Sequence, residues 1–595
     1  MTVRKSSLRP SPLAHADFPL CVALRRSFAQ GYSLARFRSD ALAGVVVGIV
    51  ALPLSMALAI AVGVEPQRGL YTAIVGGAVV ALTGGSKHQV TGPTAAFIVI
   101  LAPIVSKFGV SGLLTAGLMA GFFLIAMGAL RMGRLIEFIP HPVTTGFTLG
   151  IAAVIATLQI KDALGLPIPK LPEGYVEKLS ALWSARHGAS AQEFAVAGAT
   201  LGLLIVSPRL TRAVPAPLAA IVVVTLAATA LASAWPAFHV ATIGTRFHSS
   251  VHGREIAGIP RVPPMPMLPW GSEGMTLSLL RELLPSALAI AMLGAIESLL
   301  SAVIADAMTG KKHDPNAELV GLGIGNVIVP FFGGIAATGA LARTATNVRA
   351  GATSPIAAVV HSFTVLAVVL IAAPLVAYVP MAALAALLLL IAWNMSDVRH
   401  VWHMLRVAPG SDVAVLLICF GLTVVFDMVV AIGVGVVLAA LLFMRRMSEL
   451  TSSRLLGSST DEDRALAVPP GISVYEIAGP LFFGAAQRAM GAIETVGNDV
   501  RVVVLALGAV PTIDATGLVA LESALERLHR AKKVVVIAGP LPEPKTVFER
   551  AHLEVTHEHV FLADTLDQGI RLATDLMRLT PLDGVDPPVV SVGNG

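Results

Sequence analysis

The chain has 595 residues, 55% of them apolar and 13% charged, with a mean hydropathy of +0.79. Soluble domains carry about 25% charge, so this composition excludes a soluble enzyme and points to a polytopic membrane protein. A net charge of +5 and only two cysteines, Cys21 and Cys419, give no sign of a nucleic-acid partner, a disulfide framework, a metal centre or a cofactor.

The first forty residues carry Arg4, Lys5, Arg9, Arg25, Arg26, Arg36 and Arg38 ahead of the first long apolar run, which starts near Ala41. This is not the pattern of a signal peptide, and residues 1–40 are expected to form a cytoplasmic arm. A transmembrane domain is expected over 41–447. It holds about 14 apolar segments, with cores near 41–60, 69–83, 92–105, 112–130, 141–160, 191–207, 216–234, 283–304, 318–332, 340–351, 355–373, 378–392, 412–427 and 428–444. A spanning helix needs about 20 apolar residues, so the shorter runs must be broken or half helices. With the N-terminus inside, even-numbered segments should end in basic cytoplasmic loops. RMGR (131–134), PRLTR (208–212), GKKHD (310–314), RHVWHMLR (399–406) and MRRM (444–447) all fall in those places.

A polar linker, 448–466, then leads into a soluble α/β domain, 467–595. ISVYEIAG, RVVVLALG and KVVVIAG read as strands. Leu518, Leu521, Leu525 and Leu528 share one helix face, and LADTLDQGIRLATDLMR reads as a closing helix.

Two interrupted segments stand in corresponding places. TGPTAAF (91–97) opens the third segment and TGALARTATN (338–347) the tenth, so each is third in a group of seven. Paired short segments suggest inverted repeats and point to a transporter's binding site. A helix that starts at the midplane leaves its first N–H groups unpaired and turns its positive end inward. Two such ends facing each other hold an anion without a buried cation. Pro93 suits a helix start, and Gly92 and Gly339 allow backbone or substrate to approach closely.

Glu297 lies in mid-helix in AMLGAIESLLSAVIAD. A charge at the bilayer centre costs roughly 2.5–3.5 kcal/mol, so Glu297 needs water, a partner or a proton. It is expected to line the cavity and carry a coupling proton, with Ser301 one turn later on the same face; a structural ion pair is the alternative. Arg343 would pair with an anionic substrate or with the empty site's Glu297, or else snorkel to an interface. Pro53, in PLSMALA, frees a helix carbonyl and is expected to border the cavity. Asp306 and its loop read as cytoplasmic structure, Asp427 as an outer-interface residue, and His88 as a structural donor. The Walker pattern GxxxxGK[ST] is absent from the sequence, which argues for secondary transport.

ALPLSMALAIAVGVEPQRGLYTAIVGG, TGPTAAF, GAIESLLSAVIADAMTGKKHDPNAELVGLGIGN and TGALARTATNVRAG resemble the SulP (sulfate permease) anion transporters, and the C-terminal domain resembles their STAS domain. Within the family, FFGGIAATGALARTATNVRAGATSPIAAVVHS and LLIAWNMS are similar to bacterial C4-dicarboxylate carriers. The resemblance implies an α-helical polytopic membrane protein with 14 transmembrane segments in two inverted seven-segment repeats, forming core and gate domains, plus a C-terminal α/β STAS domain. It also implies a homodimer in the bacterial inner membrane, surrounded by lipid, with elevator-like alternating access and proton coupling.

The family's substrate site maps to Gly92, Pro93, Thr94 and Ala95 and to Gly339, Ala340 and Leu341, with Glu297 as the acidic position. Sodium–bicarbonate members have Asp where Glu297 stands and Thr where Leu341 stands, which puts sodium coupling in doubt. Many members have Gln where Leu54 stands, so one polar contact from the first segment is missing. In the STAS domain IDATG (513–517) matches the signature turn. Asp514 or Thr516 is expected to cap the helix there, and Thr516 is the one position in the turn open to phosphorylation. The resemblance also suggests acyl carrier protein as a partner of this domain. The function expected is proton-coupled uptake of C4-dicarboxylates such as succinate, fumarate or aspartate. The alternatives are sulfate or bicarbonate transport, or a passive anion channel or STAS-linked sensor.

Overall fold

The computed structural model describes residues 20–134, 140–169, 171–172, 174–210, 215–251, 254–271, 274–426, 428–456, 468–491, 499–553 and 559–579. Asp427 lies outside them. Residues up to Val437 pack as one unit and those from Leu438 as a second.

The first unit is helical. A short α1 (Val22–Ala29) precedes α2 (Leu34–Val62), whose first turn is capped by Ser33 accepting from the Arg36 N–H. The second segment is bent: α3 (Pro66–Tyr71), a π turn (Thr72–Gly76) and α4 (Gly77–Thr83) follow one another. β1 (Thr91–Gly92) leads into α5 (Ile98–Ala129). α5 holds two of the expected segments, joined at Gly109, where φ 67° and ψ −169° bend the axis in backbone that only glycine takes without strain. Next come α6 (His141–Ala163), α7 (Tyr175–Ser184), α8 (Ala191–Leu210), α9 (Ala216–Ala234) and α10 (Ile243–Arg246). A hairpin of β2 (His248–Val251) and β3 (Arg254–Ala257) precedes α11 (Leu277–Thr309) and α12 (Pro315–Ile328). β4 (Thr338–Gly339) leads into the nine-residue α13 (Leu341–Arg349). The unit closes with α14 (Ile356–Val376), α15 (Met381–Ser396), α16 (Val398–Val407), α17 (Gly410–Val425) and α18 (Met428–Leu450), which runs across the division between the units.

Among the described residues, 10 helical stretches are long and apolar enough to cross a membrane. Counting α5 twice at its bend, and adding α3–α4, α13 and the 16-residue α17, gives the fourteen expected segments. Their packing repeats with a shift of seven. α2 (first) packs on α14 (eleventh), as α11 (eighth) packs on α5 (fourth). α4 (second) packs on α14, as α12 (ninth) packs on α5. α6 (fifth) packs on α17 (thirteenth), as α15 (twelfth) packs on α8 (sixth), and α6 and α15 pack on each other. Seven is odd, so the two repeats run in opposite directions. The first four segments of each repeat form one cluster, and the remaining segments form the other.

The second unit is a five-stranded sheet in the order β5 (Ser452–Leu456), β6 (Ile472–Ala478), β7 (Val502–Ala509), β8 (Val534–Ala538), β9 (Val560–Ala563), with β5 antiparallel and the rest parallel. Side chains alternate across it. Val503, Leu505 and Leu507 join α19 (Phe483–Gly491), α20 (Ala515–Arg530) and α21 (Pro542–Arg550) in one apolar layer. Val502, Val504 and Ala506 face α22 (Leu566–Leu579) in the other. Two details differ from the sequence reading. The polar linker contains an edge strand, β5, which needs an apolar residue on one face only. The closing helix starts at Leu566, because Leu562 and Ala563 are still paired to β8.

Candidate functional site

β1 and β4 have two residues each and come from opposite repeats. They pair antiparallel, Thr91 opposite Gly339 and Gly92 opposite Thr338. The Ala340 N–H extends the ladder to the Val90 carbonyl at 2.9 Å. The two broken segments therefore cross, and a helix leaves the crossing on each side. α5 starts after Phe97 and α13 after Ala340, and neither start has a side-chain cap. In α5 the Ile98 and Ile100 N–H groups already bond the Ala95 and Phe97 carbonyls, whereas in α13 the first bond back is Thr344 N–H to the Ala340 carbonyl, so its first three N–H groups have no backbone acceptor among the described residues. The helix dipoles make the crossing favourable to an anion.

Both glycines of the crossing are required by contact. A Cβ on Gly92 would run into the Arg343 guanidinium, and one on Gly339 into the Gln89 side-chain amide.

α11 holds the crossing from one side through successive turns. The Gly294 carbonyl accepts from Thr338 Oγ1 at 2.9 Å. Glu297 Oε2 accepts from Thr94 Oγ1 at 2.8 Å. Ser298 Oγ receives Gln89 Nε2 at 2.5 Å, and Ser301 Oγ donates to Thr344 Oγ1 at 3.0 Å. Ser301, on the same stripe as Glu297, thus hydrogen-bonds α13. The helical period sets this: Ser301 is one turn further along the stripe and meets the next partner.

Arg343 is 1% exposed. Its Nη2 donates to the Pro93 carbonyl, while Nε and Nη1 have no hydrogen-bond partner. It does not snorkel to an interface. Nor does it form an ion pair with Glu297; its reach is taken up by Pro93 in the space Gly92 leaves open. Thr94, Ala95 and Ala340 are buried, and Leu341 is 43% exposed. Leu54 is partly exposed. Pro53 lines a cavity of 440 Å³ with Leu52 and Met56 of α2, residues of α9 and α14, and no charged group. That cavity includes none of the half-helix residues.

Several residues of the site are not singled out by the sequence reading. Gln89 donates to both Ser298 and Glu318 Oε1 (2.8 Å). Glu318 Oε2 also accepts the N–H groups of Gly85 (2.9 Å) and Ser86 (2.8 Å). Three donors on one buried carboxylate pin the chain just before β1. The rule that singles out Glu297, an acid in an apolar helix, applies equally to Glu318 in AELVGLGIGN. Val90 N donates to Thr344 Oγ1 and Asn347 Nδ2 to the His88 carbonyl, so α13 is tied to the same entry. The His88 ring, expected as a donor, has no partner at either nitrogen. Asp306 accepts from the His313 N–H and ring, closing the turn after α11.

In the second unit Asp514, not Thr516, caps α20, accepting from the Gly517 N–H at 2.7 Å. Thr516 is exposed.

Two broken helices that meet tip to tip within a bundle of apolar spans, with a carboxylate at the crossing, define a membrane transporter of anions rather than an enzyme. The chain belongs to the sulfate permease family. It matches that family over residues 37–419 and the STAS domain over residues 463–567. It is 40% identical over 537 residues, 89% of this chain and 97% of the relative, to YvdB of Bacillus subtilis (strain 168), provisionally named a sulfate transporter. It is 29% identical, over 87% of this chain and 91% of the relative, to the bicarbonate transporter BicA of Picosynechococcus sp. (strain ATCC 27264 / PCC 7002 / PR-6). The fold is that of the murine anion transporter Slc26a9, with a TM-score of 0.80 at 17% identity over 96% of this chain and 97% of that one.

Proposed function

We propose that this transporter takes up C4-dicarboxylates such as succinate, fumarate and aspartate together with protons, across a bacterial inner membrane. The observation that carries the reading is the Thr94–Glu297 hydrogen bond at the crossing of the half helices, with no ion pair between Glu297 and Arg343. A carboxyl group placed there with no cation in direct contact can take a proton as its counter-charge. The helix starts and Arg343 then supply the positive field for the substrate, and Gly92, Pro93, Ala95, Gly339 and Ala340 supply close backbone approach. Proton loading of Glu297 removes a like charge beside the substrate, so acid on the entry side favours uptake.

In this reading the first-four-segment cluster moves against the other one, in a homodimer, with the N-terminal arm and the STAS domain in the cytoplasm. Acyl carrier protein is the partner proposed for the STAS domain. Uptake of labelled succinate by proteoliposomes, with and without an imposed pH gradient, tests the whole reading. Accumulation unaffected by the gradient ends the coupling claim, and absence of any competition by dicarboxylates ends the substrate claim.

The names of YvdB and BicA favour a second reading, sulfate or bicarbonate transport. A competition series of sulfate, bicarbonate, fumarate and aspartate against succinate separates the two. Accumulation against a gradient also separates either from a passive channel or a STAS-linked sensor.

A further inference from the structure

α16 follows one spanning segment and precedes another, so it lies at a membrane surface. The chain turns into it sharply at Asp397, whose backbone is left-handed (φ 34°) and whose side chain accepts from the His400 N–H. Its sequence is VRHVWHMLRV. Residues three and four apart share a helix face, so Val398, Trp402 and Leu405 form one stripe and Arg399, His403 and Arg406 the adjacent one. On the other flank Val401 is buried, and the His400 ring meets His141 of α6 edge-on at 5.1 Å. The helix is thus fixed to the bundle by one side and offers the other two outward. Trp402 is 56% exposed, and Arg399 and Arg406 are also exposed. Arg406 lies over the Trp402 ring at 4.6 Å. Among the described residues neither arginine has an ion-pair partner.

The seven-segment shift sends α16 to α7, on the opposite membrane surface. There Val176 and Trp183 are exposed in the same way, and Arg186 lies over Trp183 at 4.5 Å. α7 contains Glu177 and Lys178, which balance, whereas α16 contains two arginines and no acid. An amphipathic helix with aromatic and aliphatic groups beside a basic stripe lies in the headgroup plane and is drawn to anionic lipid. We propose that α16 is a binding site for anionic phospholipid headgroups, with Arg399, His403 and Arg406 on the phosphates and Val398, Trp402 and Leu405 among the acyl chains. α7, which carries an acid, is its less basic counterpart, and the lipid-held α16 anchors the cluster built on α6 and α15.

The test uses the full chain in phosphatidylcholine vesicles that contain brominated phosphatidylglycerol or brominated phosphatidylcholine. Trp402 fluorescence is read as the difference between wild type and Trp402→Phe. The expected result is half-quenching at a roughly 30-fold lower mole fraction of phosphatidylglycerol than of phosphatidylcholine, as two arginines near a charged surface imply. The preference should vanish in R399Q/R406Q and persist in R399K/R406K. Equal quenching by the two lipids, an unaltered preference in R399Q/R406Q, or no quenching assignable to Trp402 overturns the proposal. So does loss of the preference on adding inorganic phosphate but not chloride of equal ionic strength, which would mark a free-anion site.

Discussion

Thr94 and Glu297 belong to opposite repeats, and the Thr94 hydroxyl donates to the Glu297 carboxyl at 2.8 Å. A hydrogen bond to a charged acceptor contributes about 1.5–3 kcal/mol. Thr94→Val is therefore expected to lower transport roughly tenfold or more, and Thr94→Ser to keep most of it. Glu297→Gln should still exchange anion for anion while losing the response to a pH gradient. Both are read in proteoliposomes; a Glu297→Gln protein that still concentrates substrate under the gradient contradicts the role given to the carboxyl.

The glycine contacts give a sharper steric expectation. Gly339→Ala sets a methyl group against Gln89 and, at 3.0 Å, against the Ser298 backbone; neither can move without disturbing α11. Transport should fall to background. Gly92→Ala pushes only on the Arg343 guanidinium and should retain more activity, with a raised KM. Equal losses in the two variants would show that the crossing tolerates no distinction between its two sides.

Glu318 should behave unlike Glu297. Glu318→Gln replaces an acceptor of three hydrogen bonds by an amide that can match only part of them, and unsatisfied buried donors cost about 1–3 kcal/mol each. A lower Tm together with reduced transport is expected, at all pH values. Glu297→Gln should leave Tm nearly unchanged. Thermal melting of the two purified variants separates a residue that holds the site from one that works in it.

A pH effect belongs to the start of α2. The Tyr32 hydroxyl donates to Asp40 Oδ2 at 2.8 Å, and burial, with the Asp40 hydrogen bond second, pushes its pKa up to about 12 from 10.0. The folded state thus favours the protonated phenol. Its stabilisation is complete below pH 10 and is lost as pH rises toward 12. Tyr32→Phe should be less stable than wild type near neutrality, and the difference should shrink across that alkaline window. A constant difference in Tm would show that the hydroxyl is not the group responsible.

The spans were legible in the sequence because lipid forces every backbone group to pair within its own segment, so apolar length alone reports them. The half helices were legible because Thr-Gly-Pro and Thr-Gly-Ala recur seven segments apart. Their pairing was not: a two-residue ladder between Thr91 and Gly339 leaves no period to read. Arg343 stayed open among three placements because its choice depends on the empty space at Gly92, a contact across the fold. The sequence does not mark Gln89 or Glu318, for related reasons. Gln89 looks like loop, and Glu318 stands close enough to GKKHD to pass as part of a water-facing turn. β5 was hidden in SSRLL, where an edge strand asks little of its outer face.

The β1–β4 ladder has a mechanical consequence. Drawing one tip away from the other would strip the Thr91–Gly339 and Ala340–Val90 backbone bonds in surroundings that offer few replacements. The two tips are therefore held as one rigid piece, and in the motion proposed above they would travel together, as a cradle is moved with its load, with the route of passage opening around them rather than between them.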